Sequence, residues 1–179
     1  ARDVPPGANG VVYLPYLNTT GVVSPFVHPH ARAELFGLSV EHGRAEVARA
    51  VFEGVAMAIR DCYEHMSGER HEIRLVGGGA RSDLWCQLIA DCVGLPVRVP
   101  DVDEPGALGA AVIAARSQGA LRDPKAMLST EGERGYEPDP GRQSAYDTLF
   151  PLYRALSRDA MDAWSRRNKV LNRLGESDA

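Results

Sequence analysis

The residues best suited to chemistry lie in one stretch, Ile73-Arg-Leu-Val-Gly-Gly-Gly-Ala-Arg-Ser-Asp-Leu-Trp85. The apolar run Ile73–Val76 reads as a buried strand. Three glycines follow at once, and Ser82 and Asp83 open a helical pattern through Trp85, Leu88, Ile89 and Cys92. A strand, a glycine turn and a helix N-terminus make a cradle for a phosphate or nucleotide. Glycines let backbone N–H groups approach an anion with no Cβ in the way, and the helix start adds unpaired donors and partial positive charge. The pattern is neither GxGxxG nor a Walker A loop, because no Lys-Ser/Thr follows the glycines. The same residues also suit a tight strand-to-helix turn with glycines for close packing.

Other chemically capable side chains are scattered. His28 and His30 flank Pro29 in a loop rich in Thr, Gly, Ser and Pro, with no carboxylate or Cys at metal-ligand spacing, so an irregular exposed loop is the better reading. Glu46 and Glu53 fall on a helical pattern and read as helix-surface charge. Cys62, Cys86 and Cys92 form no CxxC pair; their odd number and helical settings favour reduced thiols and a cytoplasmic location.

The elements that position the glycine turn follow from periodicity. Val11–Leu14 is a short β-prone run ended by Pro15. Residues 44–66 carry the longest helical pattern, with Val47, Ala50, Val51, Gly54, Val55, Ala58, Ile59 and Cys62 as its apolar face and Ser67-Gly68 as its stop. Ala50, Gly54 and Ala58 are small enough for close approach to a sheet. After the helix 82–92, Gly94-Leu95-Pro96 breaks the pattern and Val97-Arg98-Val99 is a brief strand. Asp101, Asp103 and Glu104 supply acidic caps, and Pro105 a first turn, for a helix of small residues, Gly106–Ala115. That helix is expected to pack tightly or to bring backbone close to a ligand. Residues 122–142 are polar and turn-rich, with Tyr136 as an anchor. A last helix runs from about Gln143 to about Leu174, its stripe formed by Tyr146, Leu149, Phe150, Tyr153, Leu156, Ala160 and Trp164, with a kink or break expected at Pro151 and a frayed tail from Gly175.

Composition narrows the function classes. The 179 residues suffice for one domain with a core, and 44% hydrophobic with 25% charged residues is ordinary for a globular protein. A net charge of −4 argues against nucleic acid as a partner, and the Arg166, Arg167 and Lys169 cluster suits a helix end. No apolar run is long enough to span a membrane, and no signal peptide opens the chain. Ala1-Arg2-Asp3-Val4 carries no initiator Met and reads as the interior of a longer polypeptide.

In order, the segments Pro6–Gly10, Leu14–Leu17, Ser24–Phe26, Ala31–Ala33, Phe36–Leu38, His42-x-Arg44-Ala45, Ala50–Ala56, Val76–Ser82, Glu104-x-x-Ala107-Leu108-Gly109-Ala110-Ala111 and Tyr136-x-Pro138 with Tyr146, Phe150 and Tyr153 resemble the C-terminal part of an FGGY-family carbohydrate kinase, closest to xylulokinase-like pentulose kinases. The resemblance covers nearly the whole chain. It implies an α/β, actin-like (ribonuclease-H-like) ATPase fold, incomplete in this chain, with helices on a mixed sheet. It implies ATP with Mg²⁺ as cofactors, the metal held through the nucleotide and the domain outside this chain, and a small sugar or polyol as acceptor. Gly78, Gly79 and Ala80 become backbone contacts to the nucleotide, with Ser82 and Asp83 as polar neighbours of the adenine or ribose, and Gly106–Ala111 packed beneath the cleft. The family's N-terminal domain, with its phosphate loop, sugar pocket and general-base Asp, has no counterpart here, so no catalytic residue is assigned and the isolated chain is expected to be inactive. Asn18–Val23 stands where many pentulose kinases carry Gly-Glu-Arg, which leaves the sugar open. The alternative is a non-catalytic interaction module, such as a homodimerising subunit, reusing the fold.

Overall fold

The computed structural model describes residues 1–102, 104–123 and 132–176; Asp103, part of the polar stretch after Arg122 and the last tail residues, all read above from sequence, lie outside these. Among the described residues, five short strands and four α-helices occur in the order β1 (Val12–Leu14), β2 (Glu34–Phe36), α1 (Arg44–His65), β3 (Ile73–Arg74), α2 (Asp83–Val93), β4 (Val97–Val99), α3 (Pro105–Ser117), β5 (Arg134–Tyr136) and α4 (Pro140–Glu176). β1 and β2 form an antiparallel pair. The other sheet has the order β3-β4-β5 and is mixed: β3 runs parallel to β4, and β4 antiparallel to β5.

β1 is buried along its length, and α1 lies across it. Gly54 permits that approach, since a Cβ there would collide with the carbonyl of Tyr13. α1 also packs on α2, and α4 crosses over α2 and α1. Between these layers sit Trp164, Tyr146, Tyr153, Leu14, Met57 and Ile89, the largest fully buried side chains. The aromatic stripe of α4 is therefore core. Its tyrosine hydroxyls are satisfied internally, that of Tyr16 lying 3.3 Å from that of Tyr153 and 3.2 Å from Ser157 Oγ, whereas the buried Nε1 of Trp164 has no hydrogen-bond partner among the described residues.

Several sequence expectations change. The buried face of α1 holds Arg49, Ala50, Glu53, Gly54, Ala56, Met57 and Asp61, whereas Val51 is exposed. The helix is rotated about its axis relative to the apolar stripe, because three of its buried positions are charged. Pairing of Ile73–Val76 shortens to Ile73–Arg74 plus one more bond, Leu75 N–H to Arg98 O at 2.9 Å; Val76 has already turned out toward solvent. The polar stretch 122–142 contains strand β5, held by pairing to β4 rather than by apolar alternation. Pro151 does not break α4, which continues through it. None of the residues of α3 is fully buried among the described residues, so the tight packing expected of its small side chains is not seen there.

Candidate functional site

The glycine turn is built by backbone geometry. At Gly77 the chain adopts φ +87°, ψ −169°, a conformation essentially open only to glycine. One 3-10 turn follows over Gly78–Arg81, with Ala80 N–H donating to Gly77 O at 3.1 Å and Ser82 N–H to Gly79 O at 3.2 Å. Ser82 then caps α2: its Oγ accepts from Trp85 N–H at 3.3 Å. Asp83 occupies the first turn of the helix, where a negative charge suits the dipole.

Ahead of the turn lies a cleft of about 440 Å³. Gly77, Gly78, Ala80 and Arg81 form one wall; Val99–Val102, together with Glu104, Pro105 and Gly106 at the start of α3, form the other. An added Cβ at Gly77, Gly78 or Gly106 would meet no atom within 4 Å, so the backbone there borders open space. The N-cap of α3, Glu104, makes no side-chain capping bond, and Pro105 stands at the first helical position. Two peptide segments rich in N–H groups thus face one opening, the arrangement that binds anions such as a phosphate chain.

The five residues singled out from sequence divide into two groups. Gly78 and Ala80 line the cleft. Gly79, Ser82 and Asp83 stand behind it. Gly79 backs onto Trp85, whose Nε1 would be 3.2 Å from an added Cβ. Ser82 is engaged as a cap, and Asp83 is tied to β5. That tie involves a residue sequence reading missed. Arg134 Nη1 donates to Asp83 Oδ1 at 2.7 Å and to Tyr136 Oη at 2.9 Å, its Nη2 donates to Ala80 O at 2.6 Å, and Tyr136 O–H donates to Asp83 Oδ1 at 2.6 Å. The tyrosine hydrogen bond, with the guanidinium beside it, holds the Asp83 carboxyl below the usual carboxylate range. Burial and the bond to Asp83 push the Tyr136 hydroxyl up to about 12. Tyr136 as an anchor was legible; Arg134, in a segment without periodicity, gave no signal.

A second polar cluster corrects an expectation. Glu53 is not surface charge: it is 2% exposed. Its Oε1 accepts from Arg49 Nε at 2.7 Å and from the Tyr146 hydroxyl at 2.9 Å, and both carboxylate oxygens lie within 3.2 Å of Gly7 N. Arg49 Nη2 also donates to Tyr146 Oη at 2.7 Å. Desolvation and the neighbouring Glu53 drive the Tyr146 hydroxyl well above its ordinary value. Glu46 stays at the partly exposed start of α1 and caps it through a 2.9 Å bond from Gly43 N–H. His28 packs edge-on against Trp164 at 5.3 Å and pairs with Ser165. Among the described residues no three His, Cys, Asp or Glu side chains gather as metal ligands. The described thiols are unpaired, and burial pushes that of Cys92 up to about 12.

Residues 1–118 match the C-terminal domain of the FGGY family of carbohydrate kinases. The chain belongs to that family. It is 36% identical over 165 residues to the erythritol kinase of Brucella abortus (strain 2308), covering 90% of this chain and 31% of that protein. It is 35% identical over 164 residues to the xylulose kinase of Escherichia coli (strain K12), covering 87% of this chain and 33% of that protein. Among solved structures, gluconate kinase from Lactobacillus acidophilus superposes with a TM-score of 0.81 at 26% identity, covering 91% of this chain and 34% of that one. Ligand-bound xylulose kinase from the same organism gives the same values. The fold is that of the FGGY sugar kinases, an actin-like α/β ATPase fold, and the chain spans about a third of the length of these relatives.

Proposed function

We propose that residues 1–179 form the C-terminal, nucleotide-side domain of an ATP-dependent carbohydrate kinase. One observation carries this reading: the Gly77–Arg81 turn and the uncapped start of α3 face each other across one cleft. ATP, with Mg²⁺, would supply the γ-phosphoryl group passed to a hydroxyl of a pentulose, another sugar or a polyol. In this chain, the backbone of Gly78 and Ala80 borders the nucleotide, with Gly79 shaping the turn from behind and Ser82 and Asp83 fixing where it meets α2. Among the described residues the side chains lining the cleft include Asp101 and Glu104 but no lysine, so the phosphates are held here by peptide N–H groups and by Arg81 or Arg134. Phosphoryl transfer rests on positioning and charge stabilisation. With the sugar pocket and general base assigned to the family's other domain, the chain alone is expected to be inactive. Its place is the cytoplasm, where unpaired thiols persist.

The test is a titration of the 179-residue chain with ATP, following the amide resonances of Gly78, Gly79 and Ala80. These should shift at millimolar nucleotide. Gly79→Val should abolish the shifts, since a branched side chain is forced against Trp85 behind the turn. Unchanged ATP affinity in folded Gly79→Val would sink the assignment. Incubation with ATP, Mg²⁺ and a panel of pentuloses and polyols should yield no sugar phosphate above a protein-free control.

A second reading has an observation of its own. α3 has no buried residue, and Ile113 on it is 72% exposed. A non-catalytic module that dimerises would cover such a surface. A stable dimer at micromolar concentration without ATP-dependent shifts would favour that reading.

A further inference from the structure

Arg134 sits on β5, two strands across the sheet from β3, which leads into the glycine turn, yet its guanidinium reaches the turn itself. Arg134 and Tyr136 alternate with Gly135 and therefore share one face of the strand. Gly135 leaves room on the opposite face for the Arg98 guanidinium, which an added Cβ would strike. From that shared face, Nη2 takes the carbonyl of Ala80, a cleft-lining residue with a buried side chain, while Nη1 takes the carboxylate of Asp83 in the first turn of α2. One rigid fork thus spans the junction between turn and helix.

Two consequences follow from the chemistry of that fork. Holding the Ala80 carbonyl toward β5 fixes the plane of the Ala80–Arg81 peptide, whose N–H points away from that carbonyl across a trans peptide bond. The bonds to Asp83 all fall on Oδ1, leaving Oδ2 as an acceptor beside the helix start. Arg134 also lines the cleft, with a side chain 45% exposed, so it adds positive charge to that wall as well as tension on the turn.

We infer that Arg134 is a positioning residue of the nucleotide site, setting the geometry of the Gly77–Asp83 segment by holding Ala80 O and Asp83 together. The inference rests on the nucleotide reading above. Lysine cannot replace it: a single ammonium is a point charge and cannot span two acceptors as the planar fork does.

The experiment compares the 179-residue wild-type chain with Arg134→Ala and Arg134→Lys. Without nucleotide, amide exchange at Ala80–Asp83 should quicken in both variants while exchange in α1 and α4 stays unchanged. With ATP, both should bind about tenfold more weakly, the loss expected when a two-point charge-assisted anchor is removed. Millimolar methylguanidinium should restore part of the affinity of Arg134→Ala. If Arg134→Ala is poorly folded, Arg134→Lys carries the comparison. Wild-type ATP affinity and wild-type exchange in a folded variant would overturn the role of Arg134 while leaving the nucleotide site intact. Absence of any ATP response in the wild-type chain would overturn the nucleotide reading and this inference together.

Discussion

Both oxygens of Glu53 are spoken for inside the protein, by Arg49, Tyr146 and the backbone of Gly7. A buried ion pair of this kind adds little when whole, yet breaking it leaves an uncompensated charge. Glu53→Ala should therefore destabilise the chain by about 3 kcal/mol in urea unfolding, and a loss under about 1 kcal/mol would show that the cluster relaxes. Asp61 makes the opposite case. Burial raises its pKa, with Arg154 and His65 only partly offsetting. A group whose folded pKa lies above its unfolded value contributes stability below the unfolded value and loses it as pH rises through the folded one. At pH 7 the ionised Asp61 is thus a burden. Asp61→Asn should melt higher than wild type at pH 7, and that advantage should shrink toward pH 4; a gain that grows on acidification would reverse the assignment.

At the scale of elements, the junction of turn and α2 is the sensitive point. Gly77→Ala forces a side chain into a glycine-only backbone conformation and should cost about 1–3 kcal/mol, measurable by thermal melting. Ser82→Ala removes the cap of α2 and should cost about 1 kcal/mol. The elements around this junction were legible wherever local chemistry decides them. Arg44 begins α1, Gly94 in a left-handed conformation ends α2, and Pro105 opens α3, each where residue type required it. The junction's own residues, Gly78, Ala80 and Ser82, were visible because glycines and a cap have few other uses in that order. What stayed hidden depends on partners distant in sequence. β2 and β5 are three residues each and exist through pairing to β1 and β4. The buried face of α1 was misplaced because a charged residue declares its burial only through its partner, and Glu53 finds Tyr146 from 93 residues away. Arg134 was missed for the same reason. Its three contacts gather what sequence spacing keeps apart.

At the scale of the molecule, surface and core are unevenly finished. Trp164, Tyr146 and Tyr153 close a dense core under α4, while α3 stands with every residue at least partly exposed. Sedimentation at rising concentration should reveal self-association through that helix, and Ile113→Lys should abolish it; association unaffected by Ile113→Lys would place the contact elsewhere. The closure of the core also orders events in time. Tyr16 finds its hydroxyl partner Ser157 141 residues further along, and Arg49 with Glu53 awaits Tyr146. β1 packs on α1, and α1 on α2, before α4 is made, so only the part of their core and polar centres that α4 covers stays open until α4 has emerged. A chain cut before Tyr146 would therefore leave Arg49 and Glu53 without the hydroxyl that completes their cluster and expose the apolar surface that α4 covers.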